Sequence, residues 1–167
     1  FDMYPTESIL LPKVSSFPKS APRQAWHNSG ELRNYSDMGP VPKSEADDTL
    51  TLREKVALIR GYKASTSYVD SLVGQINEKI KSLDLDKNTV VILTGDHGFS
   101  LGEHSLWNKH STFNVAAQSP MMIKKPGVSG GKRVKGVVEF VDIYPTIMSL
   151  ANIDSPKHIQ GVDLTPA

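Results

Sequence analysis

The run Val90-Val91-Ile92-Leu93 constrains this chain more than any other stretch, because it stops abruptly on Gly95-Asp96-His97-Gly98. Apolar, mostly β-branched residues without polar alternation predict a strand buried on both faces, as in a parallel sheet covered by helices. The acid and the imidazole then fall at the carboxyl end of that strand, where open α/β sheets bind their ligands. A carboxylate next to an imidazole, with a glycine on either side, suits a metal ion or a reacting anion. The plainer reading is a turn in which Asp96 caps the next element and His97 is solvated.

The residues downstream add Gly102-Glu103-His104 and Trp107-Asn108-Lys109. That is more ionisable chemistry than an ordinary crossover loop of about two to six residues carries. The pattern Thr94-Gly95-Asp96-His97-Gly98-x-x-Leu101-Gly102-Glu103-His104-x-x-Trp107-x-Lys109, with Gln118-Ser119-Pro120 after it, resembles the second metal-binding segment of sulfatases, in the branch that includes iduronate-2-sulfatases. Asp-His-Gly alone also occurs in phosphatases and phosphomutases of the alkaline phosphatase superfamily; Leu-Gly-Glu-His and Trp-x-Lys narrow the match. The resemblance extends from about Tyr62 to Leu150. It implies an α/β fold, part of an alkaline phosphatase- and sulfatase-like sandwich with a mostly parallel sheet and a long crossover helix.

Composition excludes several function classes. With 19 Lys and Arg against 18 Asp and Glu, the formal net charge is +1, so no sequence-wide basic field argues for nucleic acid. No apolar run approaches the roughly 20 residues that span a bilayer, and no membrane partner is expected. Cysteine is absent, which excludes a disulfide framework, a thiolate metal site and a cysteine nucleophile within this stretch, while leaving the compartment open. The chain opens on Phe1-Asp2-Met3-Tyr4 and stops at Thr165-Pro166-Ala167, which reads as an internal piece of a longer protein. The resemblance implies that 1–167 is the C-terminal portion of a sulfatase catalytic domain, with 1–47 an irregular, Pro-rich, surface-running region and 48–167 an αβ core. The remaining N-terminal part of the same protein is then this segment's partner.

Along the chain, Pro5, Pro12, Pro18 and Pro22 keep the first region extended. Trp26, His27 and Tyr35 either pin it to the body or line a cleft, with His27 read as a packing or solvated histidine. Thr51-Leu52-Arg53-Glu54 has the form of a capping box. Apolar residues then recur at steps of three and four from Leu52 to Leu83, broken around Ser65 and Thr66, predicting an amphipathic helix that packs on the sheet. Ala64, Ser65 and Gly74 are small enough for close approach, and Asp70 is either hydrogen-bonded or solvent-facing. Phe113 to Gln118 predicts one short helical turn, Pro120 to Lys124 a short strand, and Val137 to Val141 a third strand. Asp142 is the expected N-cap of a helix from Ile143 to Ala151, with Pro145 allowed in its first turn. The phrase Glu139 to Ile147 resembles a packing segment late in sulfatase catalytic domains. Gly130-Gly131-Lys132 lacks the spacing of a phosphate loop.

Ligand chemistry leaves the metal open, since the Asp96 oxygen suits Ca²⁺ or Mg²⁺ and the His97 nitrogen suits Zn²⁺ or Mn²⁺. Two ligands do not complete a site, because Ca²⁺ takes about six to eight oxygens. The sulfatase resemblance implies Ca²⁺, with Asp96 and His97 as metal ligands and His97 standing where many relatives carry Asn. On its own Lys109 would read as a surface lysine; inside this motif it is implied to contact sulfate, where an ammonium stabilises charge as the S–O bond breaks. His104 is a candidate to donate to the leaving oxygen, to contact the sugar, or to support the loop. Trp107 reads as packing and His110 has no assigned role. In sulfatases the nucleophile is a hydrated formylglycine made within [CS]-x-P-x-R. The nearest approach here, Ser20-Ala21-Pro22-Arg23, has its arginine one place early, so the nucleophile is expected upstream and the segment alone is expected to be inactive.

The function expected is therefore sulfuric ester hydrolysis on a sulfated carbohydrate substrate, in a periplasmic, secreted or lysosomal setting that the family resemblance alone implies. The alternatives are a phosphodiesterase or phosphatase of the same superfamily, using Asp96 and His97 on Zn²⁺ or Mn²⁺, and a non-catalytic sulfatase-like binding module.

Overall fold

A computed structural model describes residues 1–39 and 50–165. The end of the Pro-rich region expected to reach residue 47 lies outside the described residues, as does Pro166-Ala167. The chain separates into two compact units, Phe1–Asp84 with Ile92–Met122 and Leu85–Val91 with Ile123–Ala167.

In the first unit the dominant element is helix α1, Leu52–Ser82, about 46 Å long at the α-helical rise. It starts where the sequence signals: Thr51 Oγ1 accepts from the Glu54 backbone N–H at 3.3 Å while Glu54 Oε2 accepts from the Thr51 N–H at 2.6 Å. Such a cap contributes about 1 kcal/mol. The helix runs through Ser65 and Thr66 unbroken, Thr66 Oγ1 donating to the Tyr62 carbonyl at 2.9 Å. Its apolar stripe is covered only in part, with Ile59 buried and Leu52, Tyr68, Val69, Leu72 and Ile76 exposed. The close approach expected at Gly74 is not made among the described residues, since nothing there comes within 4 Å of a side chain at that position. Asp70 faces solvent.

The N-terminal region is irregular, as its prolines predict, with 3₁₀ turns at Thr6–Ser8, Arg23–Ala25 and Leu32–Asn34. It is not merely surface-running. Ile9 and Leu32 join Leu50, Ile59 and Trp107 in the buried core, with Tyr4 and Met38 packed against them. Arg60 of α1 donates through Nε to the Tyr4 carbonyl at 2.6 Å, and the Tyr4 hydroxyl meets Ser67 Oγ at 2.6 Å. Scattered apolar residues without helical or strand period thus supply core contacts that periodicity does not reveal.

Strand β1, Val91–Thr94, pairs with β4, Met121–Lys124, in a two-stranded sheet. Its burial differs from the expected strand covered on both faces: Val91 and Ile92 are half-buried, Leu93 and Thr94 exposed. A strand with one neighbour has less of its surface covered than one inside a wide sheet. Beyond β1 the chain forms an antiparallel hairpin of β2, Ser100–Leu101, and β3, Trp107–Asn108, with Ser100 opposite Asn108 and Leu101 opposite Trp107. Short helix α2, Asn114–Ala117, lies within the predicted 113–118 turn.

The second unit holds α3, Ile143–Leu150. Asp142 does not cap it by side chain, contrary to expectation. Its carboxylate accepts instead from the backbone N–H of Glu139 and of Val162, both at 2.9 Å, and these bonds hold the acid below the usual carboxylate range. Asp142 thereby closes the 3₁₀ turn Phe140–Asp142 and ties down the chain at Val162. The third strand expected over Val137 to Val141 does not form: Val137 is almost wholly exposed and the turn takes Phe140 and Val141. A β-branched run becomes a strand only when a neighbouring strand takes its hydrogen bonds.

Thr146 carries the clearest stability test in this unit. Its buried hydroxyl donates to the Asp142 carbonyl at 2.6 Å and accepts from the Leu164 N–H at 3.0 Å. Thr146→Val keeps the shape and leaves the Leu164 N–H without its acceptor, so it is expected to cost about 1–3 kcal/mol. A urea titration of the full-length protein checks this; a midpoint unchanged from wild type would show that the hydroxyl contributes nothing.

Candidate functional site

The loop Gly95–Gly98 is pinned from both sides. The Gly95 N–H donates to the Pro120 carbonyl at 3.2 Å, and Ser119 Oγ donates to the Gly95 carbonyl at 2.7 Å. Gly98 N–H donates to the Ala116 carbonyl at 2.8 Å and Phe99 N–H to the Val115 carbonyl at 3.0 Å. Glycine is required at 98, since a Cβ there would overlap the carbonyl oxygens of Val115 and Gln118. On this fixed loop Asp96 projects into solvent, 89% exposed, with Oδ1 3.5 Å from His97 Nε2.

The His97 ring lies between two acceptors: Nδ1 is 2.7 Å from the Gly98 carbonyl, to which it donates, and Nε2 is 3.5 Å from Asp96 Oδ1. A carboxylate oxygen and an imidazole nitrogen at that range suit a shared cation, and a backbone carbonyl on the distal nitrogen is how metal-ligating histidines are held. The donor set therefore fits a metal. Among the described residues no group of three or more His, Cys, Asp and Glu could hold one.

His104 sits in the β2–β3 loop. Gly102 opens it with φ 106°, close under the Trp107 ring, and His104 and Ser105 come next with φ 57° and 59°. The Leu101 N–H donates to Glu103 Oε2 at 2.7 Å, and the His104 N–H to the Val14 carbonyl at 3.0 Å. The imidazole stacks on Phe113, centroids 4.5 Å apart, with Nδ1 buried and unpartnered. Beside it lies a cavity of about 340 Å³ lined by Glu103, His104, Thr112, Phe113, Asn114 and Val115.

Lys109 forms a third cluster. Its Nζ lies 3.2 Å from Glu31 Oε1, and His110 Nε2 lies 3.1 Å from Glu31 Oε2. The Lys109 hydrogen bond, with the charges of Lys109 and His110 and against the pull of desolvation, holds the Glu31 carboxyl below its usual range. His110 meets His27 edge-on at 6.3 Å. The structure thus joins Asp96 to His97, His104 to Phe113, and Lys109 to Glu31. Glu31 was not legible in the sequence, as it stands in an aperiodic segment 78 positions before Lys109. Trp107 packs, as expected, and Trp26 stacks under Arg23 at 4.3 Å.

Comparison with known proteins places these residues in context. The Sulfatase family model matches residues 20–153. The chain is 29% identical to iduronate 2-sulfatase of Mus musculus, covering 92% of this chain and 32% of that protein. It is 36% identical to arylsulfatase K of Canis lupus familiaris, covering 96% of this chain and 30% of that one. It therefore spans about a third of the length of these curated relatives. A solved structure of a protein in complex with its substrate D-glucosamine-2-N,6-O-disulfate superimposes with TM-score 0.64 at 26% identity, covering 82% of this chain and 26% of that one. Another, from a Bacteroides thetaiotaomicron locus for glycosaminoglycan metabolism, gives 0.56 at 29% identity, covering 89% and 32%.

His27 yields a pH test. Burial first, and the neighbouring His110 second, hold its imidazole below the ordinary 6.5. Its Nδ1 accepts from the Ser29 N–H at 3.0 Å, which the neutral ring alone can do. The unfolded chain binds this proton at about pH 6.5 and the folded chain only at lower pH, so stability is whole above about 6.5 and is lost as pH falls from there through the folded value. The urea midpoint of the full-length protein is expected to drop across that window, and His27→Asn, which keeps an acceptor, to flatten the drop. An equal slope in the variant would remove His27 as its cause.

Proposed function

From the premise that this chain belongs to the sulfatase family, we propose that the protein it is part of hydrolyses sulfate esters on a sulfated carbohydrate. The observation that carries the reading is the pairing of Asp96 with His97, Oδ1 3.5 Å from Nε2, at the carboxyl end of β1. Asp96 and His97 would hold Ca²⁺ there, the rest of its shell and the formylglycine nucleophile coming from the part of the protein before Phe1. Bound Ca²⁺ supplies positive charge against the sulfate oxygens. On this reading 1–167 is the C-terminal portion of the catalytic domain, and the protein works in an exported compartment, periplasmic, secreted or lysosomal.

Each residue of this chain then has a bounded task. Lys109 binds a non-bridging sulfate oxygen and stabilises the charge that grows as the S–O bond breaks. His104, which lines the cavity beside Phe113, meets the leaving oxygen or a neighbouring sugar hydroxyl. The Gly95–Gly98 backbone keeps the two ligands in place before substrate arrives, so no reorganisation is needed at that moment. Turnover of an aryl sulfate against an aryl phosphate by the full-length protein tests this. Sulfate release is expected, sensitive to chelator and restored by Ca²⁺, and reduced about 100-fold or more in Asp96→Ala. Phosphate release without sulfate release would transfer the protein to phosphoryl transfer, and full sulfate turnover in Asp96→Ala would remove the metal role.

A further inference from the structure

We propose that Glu31 is a positioning residue for Lys109, an inference that rests on the sulfate-binding role of that lysine under the proposed function. A lysine ammonium is a point charge on a flexible stem with many rotamers open to it. Left free in solvent it would not hold one position. Here Glu31 Oε1 takes it at 3.2 Å, and His110 on Oε2 at 3.1 Å keeps the carboxylate from turning away. Both carboxylate oxygens are engaged, whereas Glu31 uses one N–H of the ammonium and leaves the others for an incoming anion.

The carboxylate itself is anchored. Leu32, next to it, is 2% exposed in the core. Ser29, two residues before it, is buried, and its Oγ accepts from the Trp107 N–H at 3.1 Å. Trp107 is in turn two residues before Lys109. One buried hydrogen bond therefore stands behind both members of the pair, and fixes their separation through short, buried stretches of chain. The pair itself is about a third or more exposed on each side and adds little to stability, so its consequence lies in placement. Its negative charge weakens attraction for an anion at the same time. Glu31 trades some substrate affinity for a lysine already in position, and the trade has a kinetic signature: loss of Glu31 lowers kcat without raising KM.

The test is a double-mutant cycle in the full-length, matured protein, reading kcat and KM for an aryl sulfate. Glu31→Gln is expected to lower kcat about tenfold, with KM unchanged or lower and the thermal midpoint within a degree or two of wild type. In a Lys109→Ala background the same substitution is expected to change kcat/KM less than about twofold, because the residue it serves is gone. Glu31→Asp, which keeps the charge one methylene short, carries the same expectation of a kcat loss should Glu31→Gln not fold. A kcat within about twofold of wild type in both Glu31 variants, or an equal loss with and without Lys109, overturns the inference. Full turnover in Lys109→Ala fails differently, removing the lysine's role and with it the premise.

Discussion

The hydrogen bond from the Trp107 N–H to Ser29 Oγ is the contact on which the placement of Glu31 and Lys109 depends. It lies wholly buried, and breaking one partner of such a bond costs about 1–3 kcal/mol. Trp107 belongs to the same core as Ile9, Leu32, Leu50 and Ile59, so the hydrophobic burial that collapses the first unit also delivers the Trp107 backbone N–H to Ser29. This one arrangement has two consequences. The Pro-rich segment, tied to α1 through Tyr4, is fixed to the hairpin as well. Glu31 and Lys109, far apart in the chain, then arrive within ion-pair distance as a result of packing rather than of their own attraction.

A different device holds Asp96 and His97. Asp96 and His97 are displayed on a loop whose backbone is committed elsewhere, to Pro120 on one side and to Val115 and Ala116 on the other. That commitment demands a residue without a side chain at Gly98, where the Val115 and Gln118 carbonyls close over the Cα. The glycines thus contribute by permitting contact, and the contact leaves the Asp96 side chain free to reach outward. Order in the backbone combined with exposure of the carboxylate is what a cation-binding loop needs, since the ion then replaces water rather than a protein partner.

What the sequence disclosed and what it withheld divide along the range of the interactions. Local signals were legible: the Thr51–Glu54 capping box, the helix beginning at Leu52, the strand ending before Asp96, the turn at Asn114–Ala117 and the helix at Ile143–Leu150 all depend on residues within a few positions of one another. Asp96, His97, His104 and Lys109 stood out by chemistry and spacing in one short stretch. Long-range pairings were not legible. Nothing around Glu31 announces Lys109, nothing around Ile9 announces Trp107, and the Asp142 carboxylate turned from the helix it precedes to the Val162 N–H 20 residues on. The run Val137–Val141 shows the converse, strong strand propensity with no partner strand to realise it. The α1 stripe is similar: its period is plain in the sequence, but exposure of Tyr68, Val69 and Ile76 depends on what packs there and not on the helix itself.

The backbone around the site shows why its residue types are not interchangeable. Ser29, His104, Ser105 and Asn108 all adopt positive φ, at 52°, 57°, 59° and 73°. For a residue with a Cβ such a conformation costs on the order of 1 kcal/mol, and it persists only where the surroundings over-determine it. Each has that support: Ser29 is held by Trp107, His104 by its N–H to Val14 and its stack on Phe113, Ser105 by its hydroxyl on the Ser15 carbonyl at 2.7 Å, and Asn108 by burial opposite Ser100. Asn108 is the instructive member. It stands between Trp107, which must point into the core, and Lys109, which must leave it. A left-handed residue turns the chain between those two demands, and asparagine tolerates that turn better than any β-branched residue. The spacing Trp-x-Lys therefore encodes a bend as well as two side chains, and beyond that bend Lys109 and His110 both reach Glu31.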